Sequence, residues 1–368
     1  MGWKRGIEGA EMDVLAVSSE AVDGEGIAAP SGAISTARQK YVSSKTGGGR
    51  VRSVIGLIGS AQIAHSAVQV VRGKTRLHDL NQAIDSFRPD LIHALRLPYE
   101  GVTALRNVAN NRALPVVVSS WGQDFDPQAK SDPILRWWLR RFLKNAAGFQ
   151  YDSTSDLPRA YAYGLSRDVP TLHAAGNFGV DSELYNNRAA KTPGLVVYAR
   201  KAVPSCNYYG FIEAALQLIQ STDATFVGVG LNHLLPEVIK RYGEFDQNRL
   251  RLVGQLALPE FAELVRSAQV IVSPSYSDGM PVTILGAFAS GSRIVAGDLP
   301  QLRELVAQGA DITLVDARSS SAIARGIEDQ LAPRAEASGT ELPQQYSRQA
   351  NANRVRAFYD RVLSTASQ

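Results

Sequence analysis

Asp278-Gly279-Met280-Pro281 is the stretch whose residue types could most directly do chemistry. A β-branched apolar run, Val270 to Ser273, precedes it and ends at Pro274. A helical pattern follows, with Val282, Leu285 and Ala289 on one face and Gly291 as a stop. A turn so placed lies at the carboxyl end of a strand, where parallel α/β units bind ligands. The backbone around Gly279, Met280, Pro281, Val282 and Thr283 would offer free N–H groups at a helix N-terminus, and these attract an anion. Asp278 adds a carboxylate that could accept hydrogen bonds from sugar hydroxyls. The same residues would also suit an ordinary turn of an α/β fold.

Other residues of chemical promise also follow strands. Asp90 to Ala94 reads as a buried strand, and the loop after it carries Arg96 and Glu100. These two could contact a substrate or simply pair with each other. His93 lies inside the strand and reads as a core histidine. Pro115 to Ser120 is a second buried strand, ending in Trp121-Gly122-Gln123-Asp124-Phe125-Asp126. Asp124 suits an N-cap or turn. With Asp126 it forms an Asp-x-Asp pair, an oxygen set that can hold a divalent metal and is also common in turns. Asp132 to Asn145 reads as a helix with an apolar arc and a basic arc, Trp137 standing among Arg136, Arg140, Arg141 and Lys144. Such a helix could lie on an anionic membrane. It could equally pack on a core while its arginines stay solvated.

The elements that must position these residues recur as a strand–helix pattern in both halves, so the expected class is α/β with parallel sheets. In the second half, Leu195 to Ala199, Ala224 to Val229, Arg251 to Gly254 and Arg293 to Ala296 read as strands. Phe211 to Gln220, Pro259 to Ser267 and Leu302 to Val306 read as helices, and Arg348 to Leu363 as a last one. In the first half, Ala147 to Ser153 reads as the final strand. Met12 to Ser18 and Val51 to Leu57 read as strands, Ala21 to Arg50 as a long loop, and Arg76 to Phe87 as an amphipathic helix. A chain of 368 residues favours two domains. A formal charge of +4 suits an anionic ligand without requiring nucleic acid. The single cysteine, Cys206, excludes an internal disulfide and suits a reducing compartment. The first residues carry no secretory pattern. The window Val54 to Val71 is interrupted by Gln62, His65 and Gln69 and reads as no membrane span.

The region around Asp278 resembles the donor-site signature of the retaining glycosyltransferases called family 4 or group 1. Ser275, Asp278, Gly279 and Pro281, then Gly286 to Gly291, Asp298 and Glu304, carry the likeness. Pro89 to Gly101, Trp121 to Asp124 and Gly179-Val180-Asp181 extend it. The resemblance implies a GT-B fold: two Rossmann-like, doubly wound domains, 1–175 and 176–347, facing a cleft. A terminal helix, 348–368, would cross back to the first domain. The order of elements leaves that first domain short of its usual first strand, as a start codon assigned too late, a truncated gene or a divergent, reduced first domain would do.

The resemblance also implies an activity, transfer of a sugar from a nucleotide-diphosphate sugar to a glycan or lipid-linked acceptor, with retention and without a metal or other cofactor. Arg200, with Lys201 as a substitute for the usual lysine, would clamp the donor diphosphate. Asp278 would orient sugar hydroxyls, and Gly230 would lie in the donor-side Gly-x-Gly turn. Asp124 would face the anomeric carbon, with Arg96, Glu100 and Trp121 on the acceptor side. The setting would be cytoplasmic, with peripheral contact to the inner membrane face through the basic helix. Two departures matter. The second of the family's two spaced glutamates is Gly286 here, and the family's lysine is missing. They support an alternative, a catalytically impaired sugar-nucleotide-binding scaffold of the same fold. Another chemistry on that fold, such as a sugar-nucleotide epimerase or phosphorylase, is a third reading.

Overall fold

The computed structural model describes residues 88–94, 97, 114–121, 124–125, 133–185, 190–333 and 342–366. The strands expected at Met12 to Ser18 and Val51 to Leu57, the loop Ala21 to Arg50 and the helix Arg76 to Phe87 lie outside them. So do Arg96, Glu100 and Asp126. The described residues fall into two compact units. One holds those up to Tyr151, Asp156–His173 and those from Ala352. The other holds Asp152–Ser155 and Ala174–Asn351.

In the first unit four parallel strands stand in sequence order: β1 (Ile92–Ala94), β2 (Val116–Ser120), β3 (Gly148–Tyr151) and β4 (Thr171–His173). Every residue of β2 is buried, as a continuous apolar run in a parallel sheet predicts. Helix α1 (Pro133–Lys144) connects β2 to β3, and α2 (Asp156–Ala162) follows β3. Leu139, Phe142 and Leu143 of α1 reach the core and are fully buried. The expectation that β3 ends this sheet is corrected by β4, whose Thr171, Leu172 and His173 pair with Phe149, Gln150 and Tyr151. Three residues are too few for a period-two pattern to register.

The second unit holds α3 (Ala175–Phe178), α4 (Ser182–Tyr185), β5 (Thr192–Tyr198), α5 (Tyr208–Leu218), β6 (Thr225–Val229), α6 (Leu235–Tyr242), β7 (Leu250–Val253), α7 (Leu258–Ser267), β8 (Ala268–Ser273), α8 (Val282–Ser290), β9 (Arg293–Gly297), α9 (Pro300–Ala307), β10 (Ile312–Val315) and α10 (Ser320–Leu331). Its six-stranded parallel sheet runs β10-β9-β8-β5-β6-β7. Counted from β5, the order is 3-2-1-4-5-6, the doubly wound nucleotide-binding arrangement. The strand order reverses between β5 and β8, where such sheets open a crevice for ligands.

Both faces of this sheet are buried. Val197 points into a layer with Ala262, Val265, Ile284, Leu285, Leu302 and Leu305, from α7, α8 and α9. Val196 and Tyr198 point into the other, with Phe211, Ile212, Ile323 and Ile327 from α5 and α10. Burial on both faces leaves no polar alternation, so these strands read in sequence as apolar runs. The last helix, α11 (Arg348–Ala366), starts in this unit and continues into the first. There Phe358 and Val362 press on Gly148, where a Cβ would come within 2.7 Å of Val362 Cγ2. Among the described residues, no helix is long and apolar enough to cross a membrane.

Candidate functional site

The site lies where the sheet order reverses. Arg200 follows the end of β5, and the turn Ser275 to Pro281 follows β8. The guanidinium Nη2 of Arg200 donates to Asp278 Oδ2. The other carboxylate oxygen, Oδ1, accepts the Gly279 N–H at 3.0 Å, and Ser275 Oγ lies 3.4 Å from Oδ2. Burial disfavours the charge of Arg200, but Asp278, Cys206 and Tyr198 together outweigh it and hold the guanidinium pKa above its ordinary value. Burial likewise pushes the Asp278 carboxyl up, against the pull of Arg200. Two donors are left unspent: Arg200 Nε and Ser273 Oγ are buried without a hydrogen-bond partner. Buried polar groups are nearly always paired, so two orphans at a switch point mark room for a polar ligand.

The turn itself is fixed from several sides. Gln301, buried in the first turn of α9, donates from Nε2 to the carbonyls of Asp278 at 2.8 Å and Gly279 at 2.9 Å. Thr283 Oγ1 donates to Ala199 O at 3.1 Å, tying the start of α8 to the end of β5. Asp152, on the short segment that belongs to this unit, accepts the Met280 N–H at 2.6 Å. Pro281, which the sequence would place at the first helical position, is instead the N-cap of α8, because its ψ of 122° is extended. The amides of Val282 and Thr283 then open the helix without an acceptor in a preceding turn. Gly291 closes it in the left-handed region, with φ 72°.

The loop after Arg200 is equally anchored. Tyr198 Oη donates to Lys201 O at 3.0 Å, and Tyr276 N–H donates to Ser205 O at 2.8 Å. Asn207, at φ 49°, caps α5 by accepting the Gly210 N–H at 3.1 Å and donates to Ala317 O at 2.6 Å. The Lys201 side chain is exposed and takes no part in the Arg200–Asp278 ion pair. Gly230 sits in the turn after β6 with φ 75°, where a Cβ would lie 2.5 Å from Gln255 Nε2. The positive φ is what favours glycine there, since the Gln255 side chain could swing aside.

Two family models match adjoining parts of the chain. One, for the glycosyl transferase 4-like domain, covers residues 8–173. The other, for glycosyl transferases group 1, covers residues 193–332 and so takes in both arms of the site. Together the two models take in most of the chain, and both describe glycosyl transferases. A phosphatidyl-myo-inositol mannosyltransferase of Mycobacterium leprae is 28% identical over 125 residues, 32% of this chain and 33% of that protein. A second curated relative, from Bacillus subtilis, is 23% identical over 256 residues, 65% of this chain and 60% of its own. The chain thus spans a third and less than two thirds of their lengths. Among solved structures, the sucrose-phosphate synthase of Thermosynechococcus elongatus superposes with TM-score 0.61 at 15% identity, over 81% of this chain and 77% of that one. Anabaena HepE, in complex with UDP and glucose, gives 0.56 at 18% identity, over 79% and 81%. These likenesses carry the fold.

The residues expected on the acceptor side are placed as follows. Asp124 is buried, and its Oδ2 accepts the Trp121 N–H at 3.0 Å and the Leu97 N–H at 3.3 Å. Those contacts are the work of a turn anchor, the first of the roles the sequence left open. Trp121 borders that turn, half-buried. Gly286 shows why no acid stands there. The Tyr185 ring lies over it, and a Cβ would meet Tyr185 Cε1 at 2.8 Å. Sequence reasoning did not find Gln301, Asp152, Ser273 or Tyr185. Only Gln301 carried a local hint, as a polar residue placed at a helix start just after Pro300.

Proposed function

We propose that this protein transfers a sugar from a nucleotide-diphosphate sugar to a glycan or lipid-linked acceptor, with retention of configuration and without a resident metal. One observation carries the reading. A guanidinium and a main-chain amide converge on a single carboxylate at the switch point, beside two unspent buried donors. In the resting protein Asp278 occupies the place of an anion. A donor diphosphate would take over Arg200 and the opening amides of α8, releasing Asp278 to receive sugar hydroxyls. The anomeric carbon–oxygen bond breaks as the diphosphate departs with its electron pair. The acceptor hydroxyl attacks the same face and gives its proton to the departing phosphate. Fixed positive charge aimed at the leaving group is the device that speeds such a step. Positioning supplies the rest.

The test is hydrolysis or transfer measured across UDP-, GDP- and ADP-sugars. Arg200→Ala should lower turnover by about 100-fold or more, as loss of one charge-stabilising donor does. That variant also strands a buried carboxylate, so Arg200→Ala/Asp278→Asn controls for stability. Turnover near the unaltered level in a folded Arg200→Ala chain, or nucleotide binding with no turnover on any donor, would overturn the proposal.

A further inference from the structure

We infer that Asp152 is a second specificity-determining carboxylate of the sugar subsite, and that with Asp278 it selects an uncharged hexose donor and rejects a hexuronate. This rests on the donor reading above and adds the class of sugar. Asp152 opens the four-residue segment Asp152–Ser155, which groups with the second unit. It is buried, and its Oδ2 accepts the Met280 N–H at 2.6 Å. The amide one position earlier, Gly279 N–H, is taken by Asp278 Oδ1 at 3.0 Å. Two carboxylates thus stand on successive amides of one turn, whose nitrogens lie about 3–4 Å apart.

Helix α9 carries the supports of both. Gln301 Nε2 donates to the carbonyls of Asp278 and Gly279 at 2.8 and 2.9 Å. Glu304 accepts the hydroxyl of Thr154, two residues after Asp152. Residues three apart on a helix are neighbours, so one face of α9 holds the turn and the segment together. Charge then decides what fits between them. A main-chain amide carries no net charge, so donating to a carboxylate leaves it negative. Arg200 is the guanidinium ion-paired at this turn, and a bound donor draws it to the diphosphate. The sugar is left facing two carboxylates. Sugar hydroxyls satisfy these as donors. A sugar carboxylate offers acceptors alone and brings a further negative charge into a part-buried site, where like charges are strongly disfavoured.

Paired donors that share a base test this in the full chain. UDP-glucose is compared with UDP-glucuronate, and GDP-mannose with GDP-mannuronate, each by kcat/KM. The hexose of the productive pair should be preferred by about 100-fold or more. Asp152→Asn keeps an acceptor for the Met280 N–H and removes one charge, so it should shrink that preference by about tenfold. Mere damage to the turn would lower both members of a pair alike and leave their ratio in place. A hexuronate used as well as its hexose, or a ratio that Asp152→Asn leaves unaltered, would overturn the inference and leave the transfer reading standing. Rejection of both pairs in favour of an N-acetylhexosamine donor would do the same. Turnover of no nucleotide-sugar at all would overturn the donor reading with it.

Discussion

His93 and Gly286 are both set by the side chain lying over them. His93 Nε2 lies 2.6 Å from Ser119 Oγ, and Nδ1 meets the Tyr359 hydroxyl. Burial of the ring pulls its pKa down to about 3. The folded chain therefore keeps the ring neutral at a pH where the unfolded chain, with a pKa near 6.5, takes up a proton. This group's support for the fold is complete above about pH 6.5 and is lost as pH falls towards 3. His93→Gln should flatten the decline in urea midpoint between pH 7 and 5. An unchanged slope would remove His93 from the acid response. At Gly286, alanine would gain about 1 kcal/mol of helix propensity. The approach to Tyr185 should outweigh that gain, for a net loss of about 1–2 kcal/mol. In a Tyr185→Leu background the loss should shrink, and denaturation of the four chains as a cycle would measure it.

At the scale of elements, α8 and the turn before it are held by their neighbours. Gln301→Leu should leave the Asp278 and Gly279 carbonyls without their buried donor and cost about 1–3 kcal/mol. It should also raise the donor KM more than it lowers kcat, because it loosens the turn without removing charge. A fall in kcat alone would mean that Gln301 acts on the reacting groups instead. The sequence disclosed β8, α8 and β9 to within two residues at their ends. Doubly buried strands read as apolar runs, and Pro274, Pro281 and Gly291 punctuate them. It singled out Arg200 and Asp278 through the family resemblance, and the structure pairs the two. It did not disclose β4, α3 or α4, which are too short for a period to show. The contacts of Asp152 with Met280 and of Tyr185 with Gly286 link residues about 100 positions apart or more, and no local pattern carries them.

For the molecule as a whole, the six-stranded order and the charge at its switch point lead to a prediction about metals. If Arg200 and the α8 amides meet the charge of the departing diphosphate, chelation should not matter. Transfer rates measured with excess EDTA and with added magnesium should agree within about twofold, whereas metal clamps on phosphoryl groups contribute several kcal/mol. Loss of transfer in EDTA, restored by magnesium, would put a cation in the mechanism. The interlock of Tyr185 with Gly286 also limits what can stand at that position. An acidic residue at 286 cannot be accommodated by a single change, since the Tyr185 ring already fills its space. The tyrosine must shrink first, and that intermediate carries a hole in the core. Any grip on a donor at this end of the sheet must therefore come from side chains other than one at 286.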